Sequence, residues 1–146
     1  MKKTYITIEC VLLCCFFLLL SMRLLWAEEI VFITHKTVSD QILKKTIKNI
    51  YLGKKTKWDN HQKIVFYTLN SENIHDAFSS QYMNKTSQQF NNYWKRQVFT
   101  GKGSIPKSTH SIDEMIEWVE NTPGAIGFIP KQEIKNNNIR VIYVND

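Results

Sequence analysis

Beyond residue 27 the chain has no cysteine, because Cys10, Cys14 and Cys15 all precede that point. A domain built from the remainder cannot be held by a disulfide and has no thiol for redox or metal chemistry, so its stability must come from burial. Glycine and proline are also scarce, at five and three of 146 residues, which leaves no long linker. The four histidines (His35, His61, His75, His110) are scattered and lack the HExxH spacing of a zinc site. No serine sits in a G-x-S-x-G elbow, and no pair of acids stands at a productive interval, so no catalytic residue is expected. The acids Asp113, Glu114, Glu117 and Glu120 recur at helical spacing and read as a solvated helix face. One last absence is regional: between Asp76 and Asp113 there is no acidic residue, yet the interval holds Lys85, Lys95, Arg96, Lys102 and Lys107.

The amino terminus opens with Met1-Lys2-Lys3 and runs into the apolar stretch Cys10 to Met22, followed by Ala27 and two glutamates. A basic head, an apolar run and a small residue are the parts of a secretory leader. The run is short for a membrane span, which needs about 20 apolar residues. Residues 1–27 are therefore expected to be a signal peptide cleaved after Ala27, with residues 28–146 forming the exported domain. Arg23 interrupts the apolar character and leaves open an uncleaved anchor in the inner membrane. Removing 27 of 146 residues leaves 119, enough for one hydrophobic core. That part carries 16 Lys or Arg against 12 Asp or Glu, a balance too mild to imply nucleic acid.

Hydrophobic periodicity predicts an alternation of strands and helices. Ile30 to Thr34 reads as a strand buried on both faces. Ser39 to Leu52 reads as a helix capped by Ser39 or Asp40 and stopped by Gly53. Lys63 to Leu69 is a second interior strand, followed by helices over Glu72 to Met83 and from Thr86 or Ser87 to before Gly101. Gly101 to Thr109 reads as a loop. Ser111 and Glu114 form a capping box for a helix with Ile112, Met115, Ile116 and Val119 on its buried stripe. Thr122-Pro123-Gly124 ends it, and strands follow at Ala125 to Ile129 and Ile139 to Val144. The order implies an α/β sandwich with helices covering a largely parallel sheet. Trp58, Phe90, Tyr93, Trp94, Phe99 and Trp118 read as core packing, with a stacking platform as the alternative.

Two places offer themselves to anions. The acid-free segment raises the local potential, and around Gly101, Gly103 and Ser104 backbone amides can approach an oxyanion closely. The start of the helix after the second strand would project unpaired N–H groups beside Ser71, although that hydroxyl serves equally as a plain N-cap and Glu72 would repel an anion. Thr34 and Ser39 stand at a similar junction after the first strand.

The run Ile50-Tyr51-Leu52-Gly53-Lys54-Lys55-Thr56-Lys57-Trp58 resembles the I-F-x-G-K-x-x-x-W run of phosphate-binding proteins of ABC transporters. Thr122-Pro123-Gly124-Ala125-Ile126-Gly127-Phe128-Ile129 resembles the x-P-G-A-I-G-Y-V strand entry of the same family. Phe78, Tyr93-Trp94 and Phe99-Thr100-Gly101-Lys102-Gly103 are similar to small members of that superfamily, and the matches together span about Ile30 to Ile129. The resemblance implies a three-layer α/β sandwich forming one lobe of a type 2 periplasmic binding protein-like fold. It also implies a non-enzymatic domain without cofactor or metal, located in the periplasm and binding phosphate or another small oxyanion weakly. Ser39, Ser71, Lys102 and Ser104 are the expected contacts. The chain departs from the family at Thr68-Leu69-Asn70-Ser71-Glu72-Asn73, where the family has R-x-x-G-S-G-T; only Ser71 carries over. The second expectation is therefore a structural or interaction module that kept the fold, lost the ligand, and meets a membrane or periplasmic protein partner.

Overall fold

The computed structural model describes residues 29–134 and 138–144, so the leader expected over residues 1–27 lies outside the described residues. Strand β1 (Ile30–His35) is buried along its whole length, as an apolar run flanked by sheet on both edges must be. Helix α1 (Lys44–Tyr51) follows, then β2 (Val65–Leu69), α2 (Glu72–Met83) and α3 (Ser87–Phe99). A short β3 (Lys107–Thr109), α4 (Ile112–Asn121), β4 (Ala125–Pro130), a 3-10 turn (Lys131–Glu133) and β5 (Ile139–Ile142) complete the described fold.

The five strands lie in the order β3-β2-β4-β1-β5. β2 pairs in parallel with β3 and β4, whereas β1 pairs antiparallel with both β4 and β5. The expected largely parallel sheet is thus mixed, with β1 alone reversed. The cause lies in the connection between β1 and β2, which leaves and re-enters the sheet at the same end. It is clasped at its base: the Asp40 carboxylate accepts the Asp59 N–H at 3.0 Å and the Lys55 ammonium at 3.4 Å, and the Thr37 hydroxyl donates to Gln62 Oε1 at 3.1 Å.

That clasp also corrects the expected helix start. Asp40 spends its carboxylate on residues 55 and 59, and Arg140 donates to the carbonyls of Val38 and Asp40 at 2.8 and 3.0 Å. The helix begins instead at Lys44, with Leu43 at the cap position and no side-chain cap bond. Its end follows expectation, since Gly53 takes φ +69° and turns the chain away.

Alternate residues of each strand face two helical layers. Phe66 meets Tyr51 and Trp94, and Phe128 stacks on Phe78 with centroids 4.1 Å apart, which places α1, α2 and α3 over one face. Tyr67 meets Trp118, and Gly127 lies so close to Met115 and Val119 that a Cβ would collide with them, which places α4 over the other. The result is the three-layer sandwich. Burying each large ring contributes about 1.5–3 kcal/mol, so the Phe32, Phe78 and Phe128 cluster is the main adhesive on the three-helix side.

Aromatic donors join distant parts of the chain. Trp58 is buried and its indole donates to the Gly124 carbonyl at 2.9 Å, tying the two family-like runs together. Tyr93 donates to the Leu52 carbonyl at 2.7 Å and Trp94 to the Tyr51 carbonyl at 3.1 Å, satisfying groups that the end of α1 would leave open. Burial raises the Tyr51 phenol well above its ordinary pKa, keeping it a neutral donor to the Tyr67 carbonyl at 3.1 Å.

Two further expectations change. The predicted Gly101 to Thr109 loop ends in a strand, because Lys107–Thr109 finds the open edge of β2 and pairing overrides its weak strand propensity. Phe99 is 92% exposed and does not join the core.

Candidate functional site

Adjacent parallel strands β2 and β3 send their following helices to opposite faces of the sheet: β2 leads to α2 on the three-helix side and β3 to α4 on the other. Helices that diverge this way open a crevice at the carboxyl ends of the two strands, where α/β sheets bind ligands. The Asn70 N–H donates to the Thr109 carbonyl at 2.7 Å and holds the two ends together.

The helices that start there differ. At α4 the polar groups are spent on one another: Ser111 Oγ accepts the Glu114 N–H at 3.3 Å, the Ser111 N–H reaches Thr109 Oγ1 at 3.0 Å, and the Thr109 hydroxyl donates to the Glu114 carboxylate. Only half of the expected capping box forms there, because Thr109 captures the glutamate. A complete box forms instead at α3, between Thr86 and Gln89. At α2, Ser71 occupies the N-cap position but makes no side-chain cap bond, so its expected role as a plain cap is not realised.

Beside the start of α2 lies a cavity of about 220 Å³, lined by Thr68, Asn70, His75, Gln88, Asn91, Lys95 and Ser108 among others. His75 is buried and touches the Phe90 ring. Burial lowers its pKa below the ordinary 6.5, with neighbouring Asp76 pulling the other way. A neutral imidazole, one ammonium, amides and hydroxyls can hold a small oxyanion. Among the described residues no group of three or more His, Cys, Asp or Glu could hold a metal ion.

The residues expected from the sequence fall in three places. Ser71 stands at the crevice. Lys102 and Ser104 together line a different cleft, of about 560 Å³, alongside the amino-terminal half of β2. Ser39 is exposed beyond the end of β1, and because β1 is reversed it lies at the opposite end of the sheet from Ser71. Sequence reasoning missed Asn70, His75, Lys95 and Ser108. The i,i+4 spacing of Ser71 and His75 on one helix was the available cue, whereas Ser108 comes into place only through the pairing of β3.

No family model and no curated protein matches the sequence. Solved structures do match. An ABC-type phosphate transport receptor from Vibrio cholerae superposes with a TM-score of 0.52 at 14% identity, covering 79% of this chain and 45% of that one. A phosphate ABC transporter substrate-binding protein from Clostridium perfringens, with bound phosphate, gives 0.59 at 17%, covering 79% and 44%. PstS from Borrelia burgdorferi gives 0.53 at 19%, covering 80% and 47%. The fold is therefore that of one lobe of a type 2 periplasmic binding protein-like protein, and the chain spans less than half the length of each of these proteins.

Proposed function

We propose that this protein is an exported, non-enzymatic, solute-binding-like domain that holds phosphate or another small oxyanion weakly at the start of α2. The observation that supports this most directly is the unspent Ser71 hydroxyl at a helix start on the carboxyl-end crevice, next to a cavity containing Lys95. Helix N-termini favour anions through their free N–H groups and dipole. This lobe by itself presents an open surface that leaves much of a small anion in water, so it holds the anion weakly. Ser71 is the direct contact in this scheme. Lys102, Ser104 and Ser39 lie away from it, Lys102 adding positive potential from the acid-free segment.

The domain is proposed to act in the periplasm, delivered by the leader over residues 1–27. Among the described residues no helix is long and apolar enough to cross a membrane. Mass spectrometry of the amino terminus distinguishes a protein starting at Glu28 from one that retains an inner-membrane anchor.

A second function, as an interaction module for a membrane or periplasmic protein, is favoured by one observation: Phe99 and Ile105 are exposed on the basic segment. Calorimetry of the purified protein with phosphate, with sulfate and with buffer alone separates the two. Binding to the native state raises the unfolding midpoint by mass action, and Ser71→Ala is expected to reduce that rise. No heat and no midpoint shift at millimolar anion overturns oxyanion binding and leaves the interaction module.

A further inference from the structure

The cleft along the amino-terminal half of β2 has a chemistry of its own. β3 begins only at Lys107, opposite Tyr67, and the Ile64 N–H is taken by the Thr56 carbonyl at 2.9 Å. Between these points no strand among the described residues covers the edge of β2 at Val65 and Phe66. The opening there, about 560 Å³, lies within the range of small-molecule sites, roughly 300–1,000 Å³.

Its walls include Phe66, Trp94, Ile105 and Pro106, and Ile105 is 65% exposed although a large aliphatic side chain gains from being covered. The wall is held firmly: Gly53 and Gly103 both pack on the six-membered ring of Trp94, where a Cβ on either would come within 3.1 Å of it. The rim is cationic, and among the described residues no acidic side chain lines the cleft. Two of its four lysines are already engaged. Lys55 pairs with Asp59 at 2.9 Å and Asp40 at 3.4 Å, and the Lys107 ammonium sits 3.5 Å from the centre of the Trp118 ring. Lys63 and Lys102 are exposed and have no ion-pair partner among the described residues.

We infer that this cleft is a second binding site, which shares the walls Trp94, Ile105 and Pro106 with the cavity at the proposed oxyanion crevice, for a small organic anion with an apolar or aromatic body and one carboxylate or phosphoryl group. The body covers Phe66, Trp94 and Ile105, and the charged group lies between Lys63 and Lys102. Bare phosphate is a poor occupant, because apolar walls take away its water and give no hydrogen bond in return.

The test uses 4-phenylbutyrate, its neutral amide 4-phenylbutanamide and inorganic phosphate as probes, read by amide chemical shifts of the whole protein. 4-Phenylbutyrate is expected to shift Gly103 and the Trp94 indole saturably at millimolar concentration. The neutral amide and the K63Q/K102Q double variant should each weaken binding about tenfold, the scale of two partly exposed charge contacts. Ile105→Ser should weaken acid and amide alike. Equal binding of acid and amide, an unchanged Kd in K63Q/K102Q, or shifts confined to other surfaces overturns the inference. So does a glutamate-rich peptide that moves these amides when 4-phenylbutyrate does not, which would make the cleft a protein-docking surface. Phosphate shifts at His75 and Asn91, which line the crevice cavity and not the cleft, report on the crevice.

Discussion

At its amino-terminal half β2 borders a wide cleft with an apolar floor and a lysine rim, whereas at its carboxyl end it borders a smaller cavity in which one lysine stands among amides, hydroxyls and an imidazole beside the apolar walls Phe90, Trp94, Ile105 and Pro106. The contrast follows from how each end is closed. The carboxyl end is knit by the Asn70 to Thr109 bond and by helix starts, which present directional donors. The other end is left open by a short β3 and floored by the rings that also form the core. Polar groups with fixed directions select a small oxyanion by geometry, while a ring-lined cleft selects by area and net charge. One strand thus separates two chemistries over a few residues.

Trp94 lines both cavities, and its removal would break the distinction most severely. Trp94→Ala is expected to cost about 3–5 kcal/mol of stability, seen as a lower denaturation midpoint in urea, and to abolish the response to phosphate and to 4-phenylbutyrate together. Loss of only one response would show that the cavities do not share this wall.

Gly124→Ala tests whether the cleft can be disturbed alone. Gly124 has φ +79°, and a Cβ there would lie 2.4 Å from the Lys63 carbonyl oxygen, so that backbone must shift. We expect about 1–3 kcal/mol of destabilisation, with weaker 4-phenylbutyrate binding and an unchanged phosphate response.

The two helix starts at the crevice give a smaller, sharper test. Ser111→Ala removes a hydroxyl that caps α4 and should cost about 1 kcal/mol. Ser71→Ala removes one that caps nothing and should change stability by less than about 0.5 kcal/mol, while lowering the phosphate response. Equal stability losses in paired urea titrations would show that Ser71 is an ordinary cap after all.

The smallest effect concerns His75. Its pKa is lowered in the fold, so the unfolded chain binds the proton more readily. Stability is full above the ordinary value of 6.5 and falls as the pH drops from there through the lowered folded value. His75→Phe should flatten this part of the stability profile, measured by chemical denaturation across that range.

Much of the fold was legible because apolar spacing reports burial directly. Phe32 and Phe128 are buried within apolar strand runs, Phe66 packs partly buried against the same core, and the stripe Met115, Ile116 and Val119 marks the inner face of α4. Strand direction was not legible, because the clasp of Asp40 by Asp59 and Lys55 depends on side chains meeting across a long connection. The α1 start was misplaced for the same reason. The site was read only in part: Ser71 stands out at a strand-to-helix junction, while Lys95 and Ser108 reach the cavity through the packing of α3 and the pairing of β3. No local pattern encodes those two events.

The reversed β1 has a consequence for the order in which the chain can fold. β1 comes first among the described elements, yet its partners are β4 and β5, and Ile30 aligns with Pro130 across the sheet. A chain emerging from its amino terminus therefore releases the apolar segment IVFITH long before either neighbour exists. Such a segment is an aggregation hazard while it waits. The late strands cannot nucleate the sheet early, so β1 finds its sheet partners only once β4 and β5 have been made.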